Sequence, residues 1–267
     1  MTAAAAPPLS RRTLLGVTLD AVTLDAALDR IDAAIRGRSP LLVGVVNAAK
    51  VVNMRHDEAL RADVLGSDLV LADGMSLVWA GKLLRRRLPE RVAGIDLMHG
   101  ILARGNAHGY RVFCLGATAA VLDAAIARIG ADHPGVAVVG AQHGYFTADE
   151  ERDVVDAIRR ARPDVLFVAM TSPKKERFLA RWRTELDVPV CHGVGGSFDV
   201  LAGAVQRAPE RWQRFGFEWL YRLKQEPRRL WKRYLKTNTV FCAMVVGELC
   251  RDMRPGRAAR ARRSGAC

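Results

Sequence analysis

Cysteine is sparse in this chain, and what there is cannot brace it. Five cysteines stand in 267 residues, Cys114, Cys191, Cys242, Cys250 and Cys267. They are odd in number, widely spaced and form no C-x-x-C pair, which excludes a disulfide frame and a zinc knuckle and leaves reduced thiols in a cytosolic protein. The six histidines include no H-E-x-x-H and no pair four residues apart. Also absent are the Walker phosphate loop, the G-x-S-x-G nucleophile elbow and a strand ending in Asp-x-Asp, the usual carriers of P-loop, hydrolase and divalent-ion chemistry. No apolar run reaches the roughly 20 residues of a membrane span; the longest late one is Val240 to Gly247. Ser10-Arg11-Arg12-Thr13-Leu14-Leu15 resembles a twin-arginine export signal, but Asp20 and Asp25 interrupt the apolar stretch such a signal needs, so export is not expected.

The last scarcity is local. Residues 203–267 hold 16 of the 41 basic side chains but only 5 of the 28 acidic ones, and so carry most of the formal net charge of +13. Charge this localised points to a polyanionic partner, phospholipid headgroups or nucleic acid. Aromatic residues are interleaved with it: Arg211, Trp212, Arg214, Phe215, Trp219 and Arg222, then Arg228, Arg229, Trp231, Lys232, Arg233 and Tyr234. On a helix Trp231, Tyr234 and Leu235 share one face, with basic pairs four apart beside it. That pattern suits a helix lying in a membrane interface, and equally a solvated basic face over an ordinary core helix. Nucleic acid is disfavoured, because zinc-ligand spacing, an RNP-like aromatic strand and a heptad-linked basic region are all missing. The apolar residues of 240–249 could serve a subunit contact, and hence a homo-oligomer, as readily as a bilayer.

The chain before this end is close to neutral and half of all residues are hydrophobic, enough to bury a large core. β-Branched runs alternate with helical patterns. Strands are predicted at Leu41 to Val46, Leu69 to Leu71, Arg111 to Leu115, Val136 to Gly140, Val165 to Met170 and Val188 to Cys191. Helices are predicted from Ala48, from Met75, and at Ala119 to Ile129, Asp149 to Arg162 and Pro173 to Glu185. Regular alternation implies a Rossmann-like α/β sandwich with a largely parallel sheet, followed by a basic helical C-terminal appendage. The expected organisation is a flexible N-terminus over 1–11, an α/β core over 12–202, a membrane-docking appendage over 203–253 and a disordered basic tail over 254–267.

Ligands of such sheets sit at the carboxyl ends of the strands. Gly116-Ala117-Thr118, Thr171-Ser172-Pro173 and Gly193-Val194-Gly195-Gly196-Ser197 are strand-to-helix loops whose free N–H groups suit a phosphate; each alone is also an ordinary helix cap. The third is not a dinucleotide fingerprint, since Phe198 stands where the last glycine belongs. Asp73, in Leu71-Ala72-Asp73-Gly74, is placed to act as a general base from the sheet edge, or simply to cap the helix starting near Met75. With no metal-ligand cluster, positive charge for a reaction would come from Arg, Lys and helix ends.

Seven segments carry a resemblance: Asn47; Leu71 to Gly74; Arg91-Val92-Ala93-Gly94-Ile95-Asp96; Ser172-Pro173-Lys174-Lys175-Glu176; Gly195-Gly196-Ser197-Phe198-Asp199; Arg207-Ala208-Pro209; and Glu218-Trp219-Leu220-Tyr221-Arg222. In this order they resemble the WecG/TagA/CpsF glycosyltransferases, over about residues 12 to 240. The resemblance implies an inverting, metal-independent transferase, with no cofactor, that moves a sugar from a UDP-sugar to an undecaprenyl-diphosphate-linked saccharide. It would work at the inner face of the bacterial cell membrane, as a peripheral protein, in cell-surface or exopolysaccharide assembly. Asp73 then matches the base and Asn47 the sugar site. Arg91 matches an arginine near the lipid diphosphate, with Asp96 in the same motif and Lys175 and Glu176 in another that meets substrate. Gly195, Gly196, Ser197 and Asp199 match the region that meets UDP, and Arg207, Arg222, Arg229 and Arg233 the lipid-facing end. Two positions depart from the family pattern: Val45 replaces a threonine and Lys175 a neutral amide, so N-acetylmannosamine, glucose and a uronic acid all stay open as the transferred sugar. A non-catalytic membrane or nucleic-acid-binding protein would use the same basic end but leave Asp73 and the strand-end loops without a role.

Overall fold

A computed structural model describes residues 9–253, with the side chains of Arg214 and Arg229 excepted. The expected tail over 254–267 and most of the expected flexible N-terminus lie outside the described residues. The chain opens with a hairpin, β1 (Arg11–Leu14) and β2 (Val17–Asp20), turned through Leu15 and Gly16, both at positive φ. The twin-arginine segment is therefore a strand. Asp20 ties the hairpin down: its Oδ1 accepts from Arg11 Nε at 3.0 Å and its Oδ2 from the Val70 backbone at 2.7 Å.

After α1 (Leu24–Gly37) the main sheet begins. Its strands are β3 (Leu41–Val46), β4 (Leu69–Ala72), β5 (Arg111–Gly116), β6 (Ala137–Gln142), β7 (Val165–Ala169) and β8 (Val190–Gly193). They run in the order β4-β3-β8-β7-β5-β6, and every pairing is parallel. The helices between them are α2 (Ala48–Asn53), α3 (Glu58–Leu65), α4 (Met75–Leu83), α5 (Gly94–His108), α6 (Ala119–Asp132), α7 (Glu151–Ala161) and α8 (Lys174–Leu186). The chain ends in α9 (Ser197–Leu201), α10 (Glu210–Arg214), α11 (Glu218–Gln225) and α12 (Pro227–Asp252). This is the expected α/β sandwich with a helical C-terminal end.

The period-two alternation of strand side chains divides the core. Val165, Phe167 and Ala169 face one cluster with α1, α5, α6 and α9, while Leu166 and Val168 face another with α7 and α8. A third cluster joins the hairpin to Val46, Val70 and Ala72 and to residues of α2, α3, α4 and α12. Phe241 and Val245 of α12 are buried in it. The apolar residues of 240–249, read from the sequence as a contact for a subunit or a bilayer, thus spend much of their surface on the chain's own core, although Val246 stays 57% exposed. Amphipathic pattern alone does not say which apolar surface a helix face will meet. Among the described residues no helix is long and apolar enough to cross a membrane.

Candidate active site

Sheet order brings the candidate residues together. β4, β3 and β8 are neighbours, so the turns after them, carrying Asp73, Asn47 and the Gly195 to Asp199 loop, open side by side at the carboxyl edge. Val46 and Ala72 are register partners, which sets Asn47 beside Asp73 and Gly74. A Cβ on Gly74 would come to 3.6 Å from that of Asn47. Asn47 caps α2, its Oδ1 accepting from the Lys50 backbone at 3.0 Å.

Asp73 does not cap its own helix. Gly74 occupies the cap position of α4 with no side-chain bond. Half-buried, the Asp73 carboxylate instead accepts from the backbone N–H of Gly94, the first residue of α5, at 3.0 Å. Its other oxygen takes no hydrogen bond among the described residues. One oxygen is therefore oriented and one is free, the arrangement a general base needs. Gly94 is also held from its other side by His192 of β8, whose Nε2 lies 2.9 Å from the Gly94 carbonyl, in the next peptide along. Since a carbonyl only accepts, Nε2 carries the proton. Complete burial pushes the His192 pKa down to about 4, so the ring stays neutral. Val45, where the resemblance leads one to expect threonine, packs both its methyl groups toward Gly94, 3.6 Å from where a Cβ would stand.

A buried charge cluster lies beneath. Lys50 donates to the Val45 carbonyl at 2.6 Å and to Glu176 Oε1 at 2.8 Å, and Lys175 reaches the same oxygen at 2.8 Å. Burial, reinforced by Lys175, lowers the Lys50 pKa against the pull of Glu176. Burial alone would raise the Glu176 pKa, but Lys50 and Lys175 outweigh it and bring it to about 2. Two ammonium groups thus share one carboxylate, leaving a net positive charge under the sheet edge, and Glu176 Oε2 is buried without a partner. The Lys175 stem runs against Gly193, where a Cβ would meet its Cε at 3.0 Å.

A second ionic cluster flanks the site. Arg91 donates to Asp96 Oδ2 at 2.9 Å and to Glu218 of α11, while Arg207 donates to the other oxygen of Asp96. Arg207, read from the sequence with the lipid-facing arginines, is therefore placed next to Arg91. In the loop after β8, Gly195 adopts φ +56, and the buried Ser197 hydroxyl donates to the Val194 carbonyl at 2.7 Å, so this hydroxyl shapes the turn. Asp199 holds the loop's far side, its carbonyl accepting from Val205 at 3.0 Å. Gly116 needs its glycine, since at φ +124 a Cβ would fall 2.3 Å from the Ala169 carbonyl oxygen. That loop is closed, however: Ala117 accepts from Gly144 and Thr118 caps α6. Arg222 and Arg233 are exposed on α11 and α12, Arg233 stacked 5.1 Å from the Tyr234 ring; neither is ion-paired with Asp73, Asp96 or Glu218, though Arg222 stands one turn beyond Glu218 on α11. The Arg229 side chain lies outside the described residues. Among the described residues no three His, Cys, Asp or Glu side chains converge as a metal site.

Sequence reasoning missed Lys50, His192 and the part played by Glu218. The first two had a signal: each is a lone ionisable residue inside an apolar run, Ala48-Ala49-Lys50-Val51-Val52 and Val190-Cys191-His192-Gly193.

Comparison with known proteins agrees with this geometry. The chain is 38% identical over 196 residues to an N-acetylglucosaminyldiphosphoundecaprenol N-acetyl-beta-D-mannosaminyltransferase of Bacillus spizizenii, a match covering 73% of this chain and 74% of that protein. The profile of the glycosyl transferase WecG/TagA/CpsF family matches residues 12–255. The chain belongs to the WecG/TagA/CpsF family of glycosyltransferases.

Proposed function

We propose that this protein transfers a sugar from a UDP-sugar to an undecaprenyl-diphosphate-linked saccharide at the cytoplasmic face of the membrane, in the assembly of a cell-surface polysaccharide. The observation that carries the reading is Asp73: a half-buried carboxylate at a strand end, one oxygen held by Gly94 N–H and the other free. That free oxygen takes the proton of the acceptor hydroxyl as the hydroxyl oxygen attacks the anomeric carbon. The bond from that carbon to the UDP phosphate breaks on the opposite face, so configuration inverts. Proton transfer from a positioned group of this kind is worth about a hundredfold to ten-thousandfold in rate.

The other residues take roles their placement suits. Arg91 and Arg207, already ordered by Asp96, present guanidinium groups to the acceptor diphosphate. The loop from Gly195 to Asp199 meets UDP, with Asn47 at the transferred sugar. The excess cation of Lys50, Lys175 and Glu176 supports the negative charge that grows on the leaving diphosphate. These fixed cations are the reason to write the reaction without a metal. The name of the Bacillus relative supports the lipid-linked acceptor class.

The test is UDP release on mixing the protein with a panel of UDP-sugars and a lipid-diphosphate saccharide, with and without EDTA. Release that depends on one donor and survives chelation supports the reading and names the sugar. Absence of release with every donor refutes it.

A further inference from the structure

The C-terminal helices are not the sole basic and apolar surface among the described residues. A groove on the core is lined by Arg12 of β1, by Trp79, Lys82 and Leu83 of α4, and by Arg85 and Arg87 of the segment that follows. Trp79, Lys82 and Leu83 stand three and four residues apart and so share a face of the helix. Trp79 is 48% exposed and Leu83 53%, and the four cations are exposed with them. Arg86 turns the other way, onto Glu248 and Asp252 of α12. Its neighbours Arg85 and Arg87 are left pointing out with no carboxylate partner among the described residues, and no acidic side chain lines the groove.

A solvated surface ordinarily intersperses both signs of charge. Here four cations surround two large apolar side chains, with no acid to balance them. A partner that complements this must be anionic, extended and able to accept apolar groups just below its charged layer, which describes an anionic phospholipid surface. The turn between two of the C-terminal helices packs on the same helix, α4. Gly216, between α10 and α11, lies so close to α4 that a Cβ there would meet Trp79 at 2.6 Å and Met75 at 2.8 Å. Beside it Phe215 and Phe217 are 64% and 45% exposed.

We infer that the α4 groove of the core is itself a docking surface for an anionic bilayer. Trp79 and Leu83 enter the headgroup region while Arg12, Lys82, Arg85 and Arg87 meet lipid phosphates. α4 begins next to Asp73 and its nine residues span about 13 Å, so the bilayer contact lies roughly one short helix away from the candidate base. The inference deepens the membrane part of the proposed function and rests on it for the partner, but its readout needs no sugar transfer.

Vesicle sedimentation of the full chain tests it. Wild type, Lys82→Glu/Arg87→Glu and Trp79→Ala are compared on vesicles of phosphatidylglycerol mixed with phosphatidylcholine and on pure phosphatidylcholine, with thermal melts to verify folding. The charge-reversed variant is expected to lose at least about tenfold in partition onto the anionic vesicles, and Trp79→Ala several-fold, while wild type binds pure phosphatidylcholine weakly. Unchanged binding of the charge-reversed variant would overturn the inference and leave docking to the C-terminal helices alone. An oligomer that dissociates on Trp79→Ala substitution while vesicle binding persists would overturn it too, making the groove a subunit contact. Absence of UDP release with the expected vesicle pattern intact would support this surface while counting against the transferase reading.

Discussion

Arg91 and Glu218 are ion-paired across the seam between the core and α11. The second guanidinium edge of Arg91 holds Asp96, so a carboxylate from the C-terminal helices occupies the group assigned above to the acceptor diphosphate. The two anions compete. Glu218→Gln weakens the competitor, and the acceptor KM is expected to fall several-fold with kcat little changed. Arg91→Ala removes the shared cation and should raise the acceptor KM tenfold or more. Steady-state kinetics at saturating donor reads both; a higher KM in Glu218→Gln would mean that the carboxylate serves the substrate instead.

The Lys50, Glu176 and Lys175 cluster makes an asymmetric prediction for stability. Glu176→Gln strands two buried ammonium groups and should lower stability by about 3–5 kcal/mol, a fall in Tm of roughly 10 °C for a chain of this size. Lys175→Gln leaves Lys50 paired with Glu176 and should be nearly neutral. Thermal or urea denaturation of the two variants checks the contrast, and equal losses would refute it.

Acid should unfold the protein in two windows. His192 titrates at about 4 in the folded chain against an ordinary 6.5, so the unfolded chain takes the proton first. Stability then falls as pH drops from 6.5 to about 4, by about 3 kcal/mol at most, and levels off below. Glu176, at about 2 against 4.5, adds stability that is complete above 4.5 and is lost as pH falls toward 2. His192→Gln keeps a donor for the Gly94 carbonyl and should abolish the upper window alone. Persistence of that window in the variant would assign it elsewhere.

His192 also sits two hydrogen bonds from the candidate base. His192→Ala removes the ring that holds the Gly94 carbonyl and so loosens the residue whose N–H orients Asp73. A loss of about tenfold in kcat with donor KM unchanged is expected, and His192→Gln should restore most of it. Equal loss in both variants would point to packing rather than to the hydrogen bond.

The sheet was readable where strands are buried on both faces, as at Leu41–Val46 and Val165–Ala169, because such strands are continuous apolar runs. The hairpin was not. Its strands are four residues long and its turn places Leu15, a poor turn former, at φ 52. α5 was obscured by its own packing: glycines at 94, 100 and 105 weaken the helical signal, yet a Cβ on Gly100 would lie 2.7 Å from Leu28 and one on Gly105 3.1 Å from Tyr110. In the candidate site, Asp73 was legible as an acid on a strand-end turn, while Asn47 was singled out only through the resemblance. Lys50 and His192 were hidden inside the core, and the pairing of Glu218 with Arg91 joins residues far apart in sequence that only the tertiary fold brings together.

The central claim, that Asp73 is the base, is tested most directly by turnover of Asp73→Asn beside wild type, with UDP-sugar affinity measured by calorimetry on both. The asparagine keeps an oxygen for Gly94 N–H but cannot take a proton. A fall in kcat of a hundredfold or more with donor affinity unchanged is the predicted result; turnover within a few-fold of wild type would show that another group removes the proton.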